Sequence, residues 1–258
     1  MKVGDYVSSY VGWCDKAVEY ASNLTKIDYK PNGDIPLEAY LGPLGMTGKT
    51  AFYGIEKALT PITVDEVALV TGACGAVGTI VCQLLKQRGC FVIGVAGSEE
   101  KCNLLTTDFK CDVAINYKQT PITAELLKSK SPTGLIDVFF DNVGGTIFDA
   151  AIQIINTNAR ICICGQISSY DELDQPSMGP RFLHRLIYTR AKIQGVLARD
   201  CPKETAQRHQ HEFKEMLRDN QLNFKTFIVE GFENIPSAQI QMMQGANIGK
   251  AMVKLQDY

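Results

Sequence analysis

Short apolar runs alternate with amphipathic stretches over most of the chain from Val67 onward. The apolar runs predict buried strands near residues 67–71, 90–96, 112–116, 136–140, 159–164 and 192–197. Apolar residues at helical spacing between them predict helices near 76–88, 99–107, 121–130, 145–156 and 181–190. This alternation is typical of an α/β fold, and we predict a doubly wound parallel (Rossmann) sheet of about six strands.

Both ends of the chain follow a different pattern. Residues 1–42 hold short strand-like pieces, DYVSSYV and KAVEYA, between turn residues. Near the other end, FKTFIVEGF and GKAMVKLQ predict strands on either side of a short helix at 235–243. We therefore predict a Rossmann domain over 43–221 and a second, mostly β unit to which 1–42 and 222–258 both contribute.

Composition narrows the classes of function. The 258 residues are 45% hydrophobic and 21% charged, with a formal net charge of -2, so there is no electrostatic case for nucleic acid or an anionic membrane as partner. The chain has no apolar run of about 18 residues and no signal-peptide pattern behind its first residues. We predict a cytoplasmic protein that acts on a small molecule.

Cysteine and histidine usage argues against a metal site. The nine cysteines are odd in number and scattered, which predicts reduced, buried thiols. Cys162 and Cys164 alternate with isoleucine, so strand packing is favoured over a metal pair. His209 and His211 lie two apart on a predicted helix, face different ways, and are predicted to be solvated.

A glycine motif stands between the first predicted strand and helix. In TGACGAVG the spacing is Gly72-x-x-Gly75-x-x-Gly78, where backbone amides approach a pyrophosphate and the helix N-terminus stabilises its charge. We predict that Gly72, Gly75, Ala76, Val77 and Gly78 bind a dinucleotide. Because the usual spacing is GxGxxG, a tight turn without a ligand is the alternative.

The end of the second predicted strand indicates which dinucleotide. An NAD site places Asp or Glu there for the ribose 2′-hydroxyl, and a carboxylate would repel a 2′-phosphate. This chain has Gly97 and Ser98, followed by Lys101, so we predict NADP(H), with Ser98 and Lys101 as donors. Glu99 and Glu100 are expected to point outward at the helix start. The alternative for Lys101 is an ordinary surface lysine.

Seven ordered blocks carry a resemblance that covers nearly the whole chain. The sequence resembles the medium-chain dehydrogenase/reductases, and more narrowly their zinc-free, NADPH-dependent prostaglandin/alkenal double-bond reductases. The blocks are GMTGKTAFYGI, TGACGAVG, GSEEK, AINYK, DVFFDNVGG, CGQISSY and GANIGK.

The resemblance implies roles for several residues at the cofactor. Lys101 and Tyr117 would contact the 2′-phosphate, and Asn142 would lie near the ribose and nicotinamide. Asn247 would approach from the C-terminal strands. From the residues alone, Asn142 and Asn247 could instead be turn residues, and Tyr117 could pack under the strand end.

The resemblance also implies the chemistry, which is reduction of the C=C bond of an enone or enal by NADPH. Tyr170 would be the catalytic residue beside the substrate carbonyl, and Met46 and Thr50 would line the substrate cleft. A loop tyrosine without a catalytic role is the alternative for Tyr170. Quinone reduction on the same fold is a further enzymatic alternative.

In members of this family, residues like GDYVSSYVGW come after roughly the first quarter of the protein, which builds most of a GroES-like domain, and here Met1 stands almost at that point. The resemblance therefore implies that residues 1–42 are a remnant of that domain and that the substrate wall is incomplete. It leaves open a catalytically weak NADPH-binding or regulatory protein. It also implies a homodimer through the strand at 192–197.

One rival family fits the length of the chain. Tyr188 and Lys192 supply the YxxxK pair of short-chain dehydrogenases, where tyrosine is the acid and lysine lowers its pKa. Chance supplies such a pair readily in a chain with many tyrosines and lysines. The first cofactor strand would also start near the N-terminus in that family, which disfavours it here.

Overall fold

The computed structural model describes residues 1–172 and 178–255. In this part of the chain the strands and α-helices are β1 (Val7–Ser8), β2 (Thr25–Lys26), α1 (Met46–Gly54), β3 (Val67–Val70), α2 (Gly78–Gln87), β4 (Phe91–Ala96), α3 (Glu99–Thr107), β5 (Val113–Asn116), α4 (Ala124–Lys130), β6 (Ile136–Asp141), α5 (Gly145–Ala151), β7 (Ile155–Ile163), α6 (Leu183–Thr189), β8 (Lys192–Gly195), α7 (Lys203–Arg218), β9 (Thr226–Glu230), α8 (Ile235–Met243) and β10 (Lys250–Lys254).

A six-stranded parallel sheet forms the centre of the molecule, in the order β5-β4-β3-β6-β7-β8. The chain winds outward from β3 in one direction and then returns to its other side at β6. The predicted doubly wound α/β sheet is confirmed. Ligands of such sheets bind at the carboxyl ends of the strands where the winding reverses, which is here between β3 and β6.

The core has two layers, one on each face of the sheet. Ala68 and Val70 of β3 face the layer that contains side chains from α1, α2, α3 and α7. Val67 and Leu69 face the opposite layer, with α4 and α5. Because both faces of β3 are covered, its residues are all apolar and buried, as the uninterrupted apolar run predicts.

Strand β7 differs most from its predicted bounds. It begins at Ile155, four residues before the predicted start at 159. The polar sequence Asn156–Asn158 resembles a turn, and Asn158 does adopt a positive φ of 61°. Ile155 nevertheless pairs with Ile136, and the register shifts before Arg160 pairs with Val138. A bulge in the strand therefore accommodates residues that local propensity assigns to a loop.

Residues from the two ends of the chain lie close to each other. The antiparallel pair β1–β2 and the parallel pair β9–β10 are small sheets outside the central one. A cavity of about 230 Å³ lies between the two ends. It is lined mainly by apolar side chains, among them Tyr6, Ile27, Tyr40, Ile228, Met252 and Val253. The assignment of this unit to a GroES-like domain stays a prediction.

The N-terminal segment holds less strand than the sequence predicts. KAVEYA is not a strand, and only Val7–Ser8 of DYVSSYV pairs with another strand. Residues 16–18 are exposed, and 16–19 lie against no neighbouring strand in the part of the chain described, so their alternating pattern has no sheet to join. Large apolar side chains are exposed here, including Val3, Tyr10, Trp13, Val18 and Tyr20.

The cysteines are reduced, and most of them are buried. All nine cysteines are free thiols, and six of them are buried. Cys162 packs in the core on β7, as its strand position predicts, and Cys164 follows directly after the strand.

Among the described helices, none combines the length and the apolar character that crossing a bilayer requires.

The prediction that His209 is solvated is wrong. His209 is 1% exposed on α7, and its Nε2 lies 2.8 Å from the carbonyl oxygen of Pro43. The rings of Phe52 and Phe213 pack against it. Because α7 packs on α1, one of the two histidine faces is buried, and His211 remains exposed on the other. Burial lowers the pKa of His209 to about 4.

This shift predicts loss of stability in mild acid. The ordinary histidine pKa is about 6.5, so the unfolded chain takes up a proton first as the pH falls. His209 should therefore lower the free energy of unfolding progressively below about pH 6.5, by about 2 kcal/mol between pH 7 and pH 5. We expect H209Q, which keeps a donor for Pro43, to lose this part of the pH dependence in urea unfolding.

The control is H211Q, which removes the exposed histidine of the same helix. It should retain the pH dependence of the unsubstituted protein. An equal fall in stability from pH 7 to pH 5 in H209Q and in the unsubstituted protein would show that the buried imidazole is not responsible.

Candidate functional site

The glycine motif forms the turn between β3 and α2. Gly72 has a φ of 56°, in the left-handed region that glycine adopts without strain. At Gly78, a Cβ atom would lie 2.3 Å from the carbonyl oxygen of Gly72 and 2.7 Å from the Cα of Ala73. Only glycine therefore allows α2 to begin this close to the strand. The turn places the start of α2 at the carboxyl edge of the sheet.

Free backbone donors lie at the same turn. The N–H of Gly75 donates to Gly72 and that of Thr79 donates to Gly75. The N–H groups of Ala76 and Val77 donate to no group in the described part of the chain, and no side chain caps α2. Together with the positive end of the helix dipole, these amides form a site suited to a phosphate group.

Cationic and hydroxyl groups surround the end of β4. The Tyr117 ring lies against Gly97, where a Cβ atom would be 3.1 Å from the ring. The Ser98 hydroxyl accepts from the Lys101 N–H at 3.2 Å and so caps α3. The Lys101 ammonium donates to the carbonyl oxygen of Gly245 at 2.6 Å. Burial lowers the pKa of Lys101, with a smaller contribution from the charge of Lys118.

The two nearby glutamates do not neutralise this group. Both Glu99 and Glu100 are exposed, and Glu99 accepts from the side chain of Asn116 at 3.2 Å. Among the residues described, no carboxylate forms an ion pair with Lys101. The end of β4 therefore offers an ammonium, a phenol and a hydroxyl group, and it has Gly97 where an NAD site has an acid.

The GANIGK segment lies across this edge of the sheet. Gly249 donates its N–H to the carbonyl oxygen of Cys74 at 2.9 Å, and it forms a parallel bridge with Gly75. The Asn247 side chain donates to the carbonyl oxygen of Gly249 at 2.9 Å. With the Lys101–Gly245 bond, these contacts bring the C-terminal segment to the glycine turn and to the end of β4. The role of Asn247 at a cofactor stays a prediction.

A hydrogen-bonded group at the ends of β3 and β6 was missed by the sequence prediction. Asp141 is 0% exposed and accepts the Thr71 hydroxyl at 2.5 Å. Asn142 donates its backbone N–H to the Thr71 hydroxyl and its side-chain amide to the Thr71 carbonyl, at 2.9 and 2.7 Å. The signal for Asp141 was a polar residue directly after the buried run in DVFFDNVGG.

Tyr170 lies at the carboxyl end of the neighbouring strand β7, in a 3-10 helix at Ile167–Glu172. Its side chain is 47% exposed, and its hydroxyl oxygen lies 3.3 Å from the point where a Cβ on Gly165 would be. Ser168 fixes this segment to the 142–144 loop by donating to the carbonyl oxygen of Val143 at 2.6 Å. Residues 173 and 174 of the SSYDELD stretch lie outside the described residues.

The structure leaves Met46 and Thr50 apart from this group. Both lie on α1, where the Thr50 hydroxyl donates to the carbonyl oxygen of Met46 at 2.7 Å and the Met46 side chain is exposed. Within the part of the chain described, neither side chain hydrogen-bonds to the glycine turn or to the Tyr170 segment. Their placement in a substrate cleft stays a prediction.

Two cysteine thiols flank the site. Burial raises the pKa of Cys74 in the glycine turn to about 11 and that of Cys164 after β7 to about 12. Both thiols are therefore protonated and weakly nucleophilic at neutral pH. The described residues contain no cluster of three or more His, Cys, Asp or Glu side chains that could hold a metal ion.

The sequence of this chain is similar to those of known oxidoreductases. The family described as "Zinc-binding dehydrogenase" matches residues 76–219. The chain is 40% identical over 258 residues to a putative NADP-dependent oxidoreductase, YfmJ, of Bacillus subtilis, covering 100% of this chain and 74% of that protein. It is 35% identical to prostaglandin reductase 1 of Mus musculus, covering 97% of this chain and 75% of that protein.

A solved structure agrees with the sequence comparison. The crystal structure of CurA in complex with NADPH, from Vibrio vulnificus, superposes with a TM-score of 0.85 and 32% sequence identity. The superposition covers 100% of this chain and 75% of CurA.

Proposed function

Because this chain belongs to the medium-chain dehydrogenase/reductases, in the NADPH-dependent reductase branch, we propose that it reduces the C=C bond of α,β-unsaturated aldehydes and ketones. Its relatives in that branch are named as NADP-dependent oxidoreductases and as a prostaglandin reductase. One observation supports the choice of cofactor most strongly. Lys101, Tyr117 and Ser98 lie around the end of β4, where Gly97 stands in place of an acid.

The residues of the site fit NADP(H). The free amides of Ala76 and Val77 would hold the pyrophosphate at the start of α2. The Lys101 ammonium and the Tyr117 hydroxyl would bind the 2′-phosphate, since Tyr117 packs against Gly97 and no carboxylate takes the place of Gly97 there. Asn247 and its neighbours would close over the cofactor from the C-terminal side. Bound there, the cofactor supplies the hydride for reduction.

The second half of the sheet would hold the nicotinamide end. Asn142 lies at the carboxyl end of β6, and Tyr170 lies over the end of β7, where the loops are fixed to one another. In conjugate reduction the β-carbon of the substrate gains the hydride and negative charge develops on the carbonyl oxygen. The Tyr170 hydroxyl would donate a hydrogen bond to that oxygen, while solvent supplies the proton at the α-carbon.

The thiols beside the proposed site are in a state that tolerates an electrophilic substrate. Enals and enones alkylate thiolates, and two thiols lie beside the proposed site. Cys74 and Cys164 are kept protonated by burial, which raises their pKa to about 11 and about 12. A site that handled such a substrate would be spared self-alkylation by this arrangement.

We also propose that the chain forms a homodimer through β8. Strand β8 is the last strand of the sheet and pairs only with β7 in the described structure. Its outer edge therefore carries unpaired backbone groups, which favour strand addition. Exposed apolar side chains lie nearby on α6 and after β8, at Leu183, Ile187 and Leu197.

Removal of the lysine should change cofactor preference. We expect K101A to raise the Kd for NADPH about 10- to 100-fold, because a charge-assisted contact with the 2′-phosphate is lost. The Kd for NADH should stay within about threefold. Fluorescence titration with both cofactors measures this, and K130A, an exposed lysine on α4, is the control. Equal weakening of NADPH and NADH would contradict the assignment of Lys101.

Removal of the tyrosine hydroxyl should slow reduction. We expect the unsubstituted protein to oxidise NADPH when a 2-alkenal is added, and Y170F to lower kcat by about 10- to 100-fold with an unchanged Kd for NADPH. Y188F, on exposed α6, is the matched control. Unchanged turnover in Y170F would remove Tyr170 from the mechanism. NADPH binding without oxidation of any 2-alkenal would favour a cofactor-binding regulator, and turnover of quinones alone would favour a quinone reductase.

The dimer is tested by sedimentation velocity at micromolar concentration. We expect a species of twice the chain mass, and we expect I193P to yield monomers because proline breaks the exposed strand. The substitution T226P, on β9 outside the central sheet, should leave the dimer intact. A monomer in the unsubstituted protein would refute the interface.

A further inference from the structure

Asp141 is a buried acidic side chain that the proposed mechanism does not use. It lies at the carboxyl end of β6 and is 0% exposed. No lysine, arginine or histidine forms an ion pair with it among the residues described. A buried carboxyl group without a cation partner is costly unless hydrogen bonds or a ligand compensate it.

The hydrogen bonds around Asp141 indicate that it is ionised. Its Oδ1 accepts from the Thr71 hydroxyl and from the N–H groups of Val143 and Gly144, and its Oδ2 also accepts from Gly144. The Thr71 oxygen itself accepts from the Asn142 N–H, so its own proton is directed at Asp141. Every hydrogen-bond partner of the Asp141 carboxyl group among the described residues is a donor, which is the environment of a carboxylate.

The position of Asp141 within the sheet decides which part of a dinucleotide it affects. In a doubly wound sheet the two halves each hold one mononucleotide, and the group that binds the adenosine ribose stands at the end of the second strand. Here that strand is β4, so adenosine belongs over β3, β4 and β5. The nicotinamide mononucleotide then belongs over β6, β7 and β8, and Asp141 ends the first of these strands.

We infer that the buried carboxylate of Asp141 stabilises the positive charge that the nicotinamide ring carries in its oxidised state. The inference rests on the proposed function, because it requires an NADP(H) site at these strand ends. Transfer of a hydride to the β-carbon of an enone leaves one positive charge on the ring, and the enolate takes a proton from solvent. With a nicotinamide ring bound over the ends of β6 and β7, the fixed negative charge of Asp141 would favour hydride release.

No positive charge on the neighbouring side chains described here neutralises the Asp141 carboxylate. Cys162 and Cys164 are the titratable groups that respond to Asp141, and burial raises the pKa of both thiols, so they are neutral at pH 7. Thr71 and Asn142 are neutral. Across about 10 Å of protein with an effective dielectric constant of about 20, one elementary charge alters an equilibrium constant about tenfold.

Cofactor affinities test the inference without reference to turnover. We expect D141N to raise the ratio of the Kd for NADP⁺ to the Kd for NADPH about tenfold. We expect both absolute affinities to fall in this variant, because one asparagine nitrogen must face the Gly144 donor, and the ratio separates the charge from this structural effect. Isothermal titration calorimetry with both cofactors measures it, and circular dichroism checks the fold.

Asp137 provides a matched control on the same strand. It stands at the amino end of β6 and accepts from the Val67 N–H at 2.9 Å and from Asn156 at 2.6 Å. Four residues along a strand separate it from Asp141 by about 13 Å. D137N should therefore change the ratio less, by about threefold at most. T71V, which keeps the charge at Asp141 but removes one of its donors, should also leave the ratio unchanged.

Each outcome of this experiment bears on the inference. An unchanged ratio in D141N, or an equal change in T71V or D137N, overturns it while leaving the cofactor site in place. If D141N does not fold, D141S removes the charge with a smaller side chain that retains an acceptor for Gly144, and the same ratio is measured. Failure of the unsubstituted protein to bind either cofactor would instead refute the proposed function.

Discussion

The hydrogen bond between the Thr71 hydroxyl and the buried Asp141 carboxylate joins β3 to β6 at the point where the winding of the sheet reverses. The opening of a doubly wound sheet lies at this point, because the connections on its two sides run in opposite directions. Asn142 bonds Thr71 through both its backbone and its side chain. The loop after β3 and the loop after β6 are therefore hydrogen-bonded to each other. The Tyr170 segment is bonded to the loop after β6 through Ser168 and Val143.

The opposite side of the opening depends on close backbone approach. A side chain at Gly78 would collide with Gly72, and one at Gly249 would lie 2.0 Å from the carbonyl oxygen of Lys225. These two glycines let α2 and the C-terminal segment reach the same turn. Residues far apart in sequence, from 72–78 to 245–249, thus form one surface, and the position of Lys101 depends on both. Correct folding of the C-terminal strands is therefore part of building the proposed cofactor site.

Much of this arrangement follows from local sequence, and the remainder depends on long-range packing. The helices at 99–107 and 235–243 match the predicted bounds because their apolar spacing and starting residues agree. KAVEYA alternates like a strand, but strand formation requires a partner that the described structure does not provide. His209 and Phe213 lie four residues apart and therefore on the same face of α7. Spacing alone does not tell whether this face packs against α1 or faces solvent. Thr71 and Asp141 came together across 70 residues, which no local pattern reveals.

A crystal structure of the chain with NADP⁺ bound tests the central claim most directly, because it locates each half of the dinucleotide relative to the two halves of the sheet. The account predicts the 2′-phosphate between Lys101 and Tyr117, the pyrophosphate at the turn from Gly72 to Gly78, and the nicotinamide over the ends of β6 and β7. A dinucleotide bound in the reverse orientation, or in the cavity between the chain ends, would contradict it.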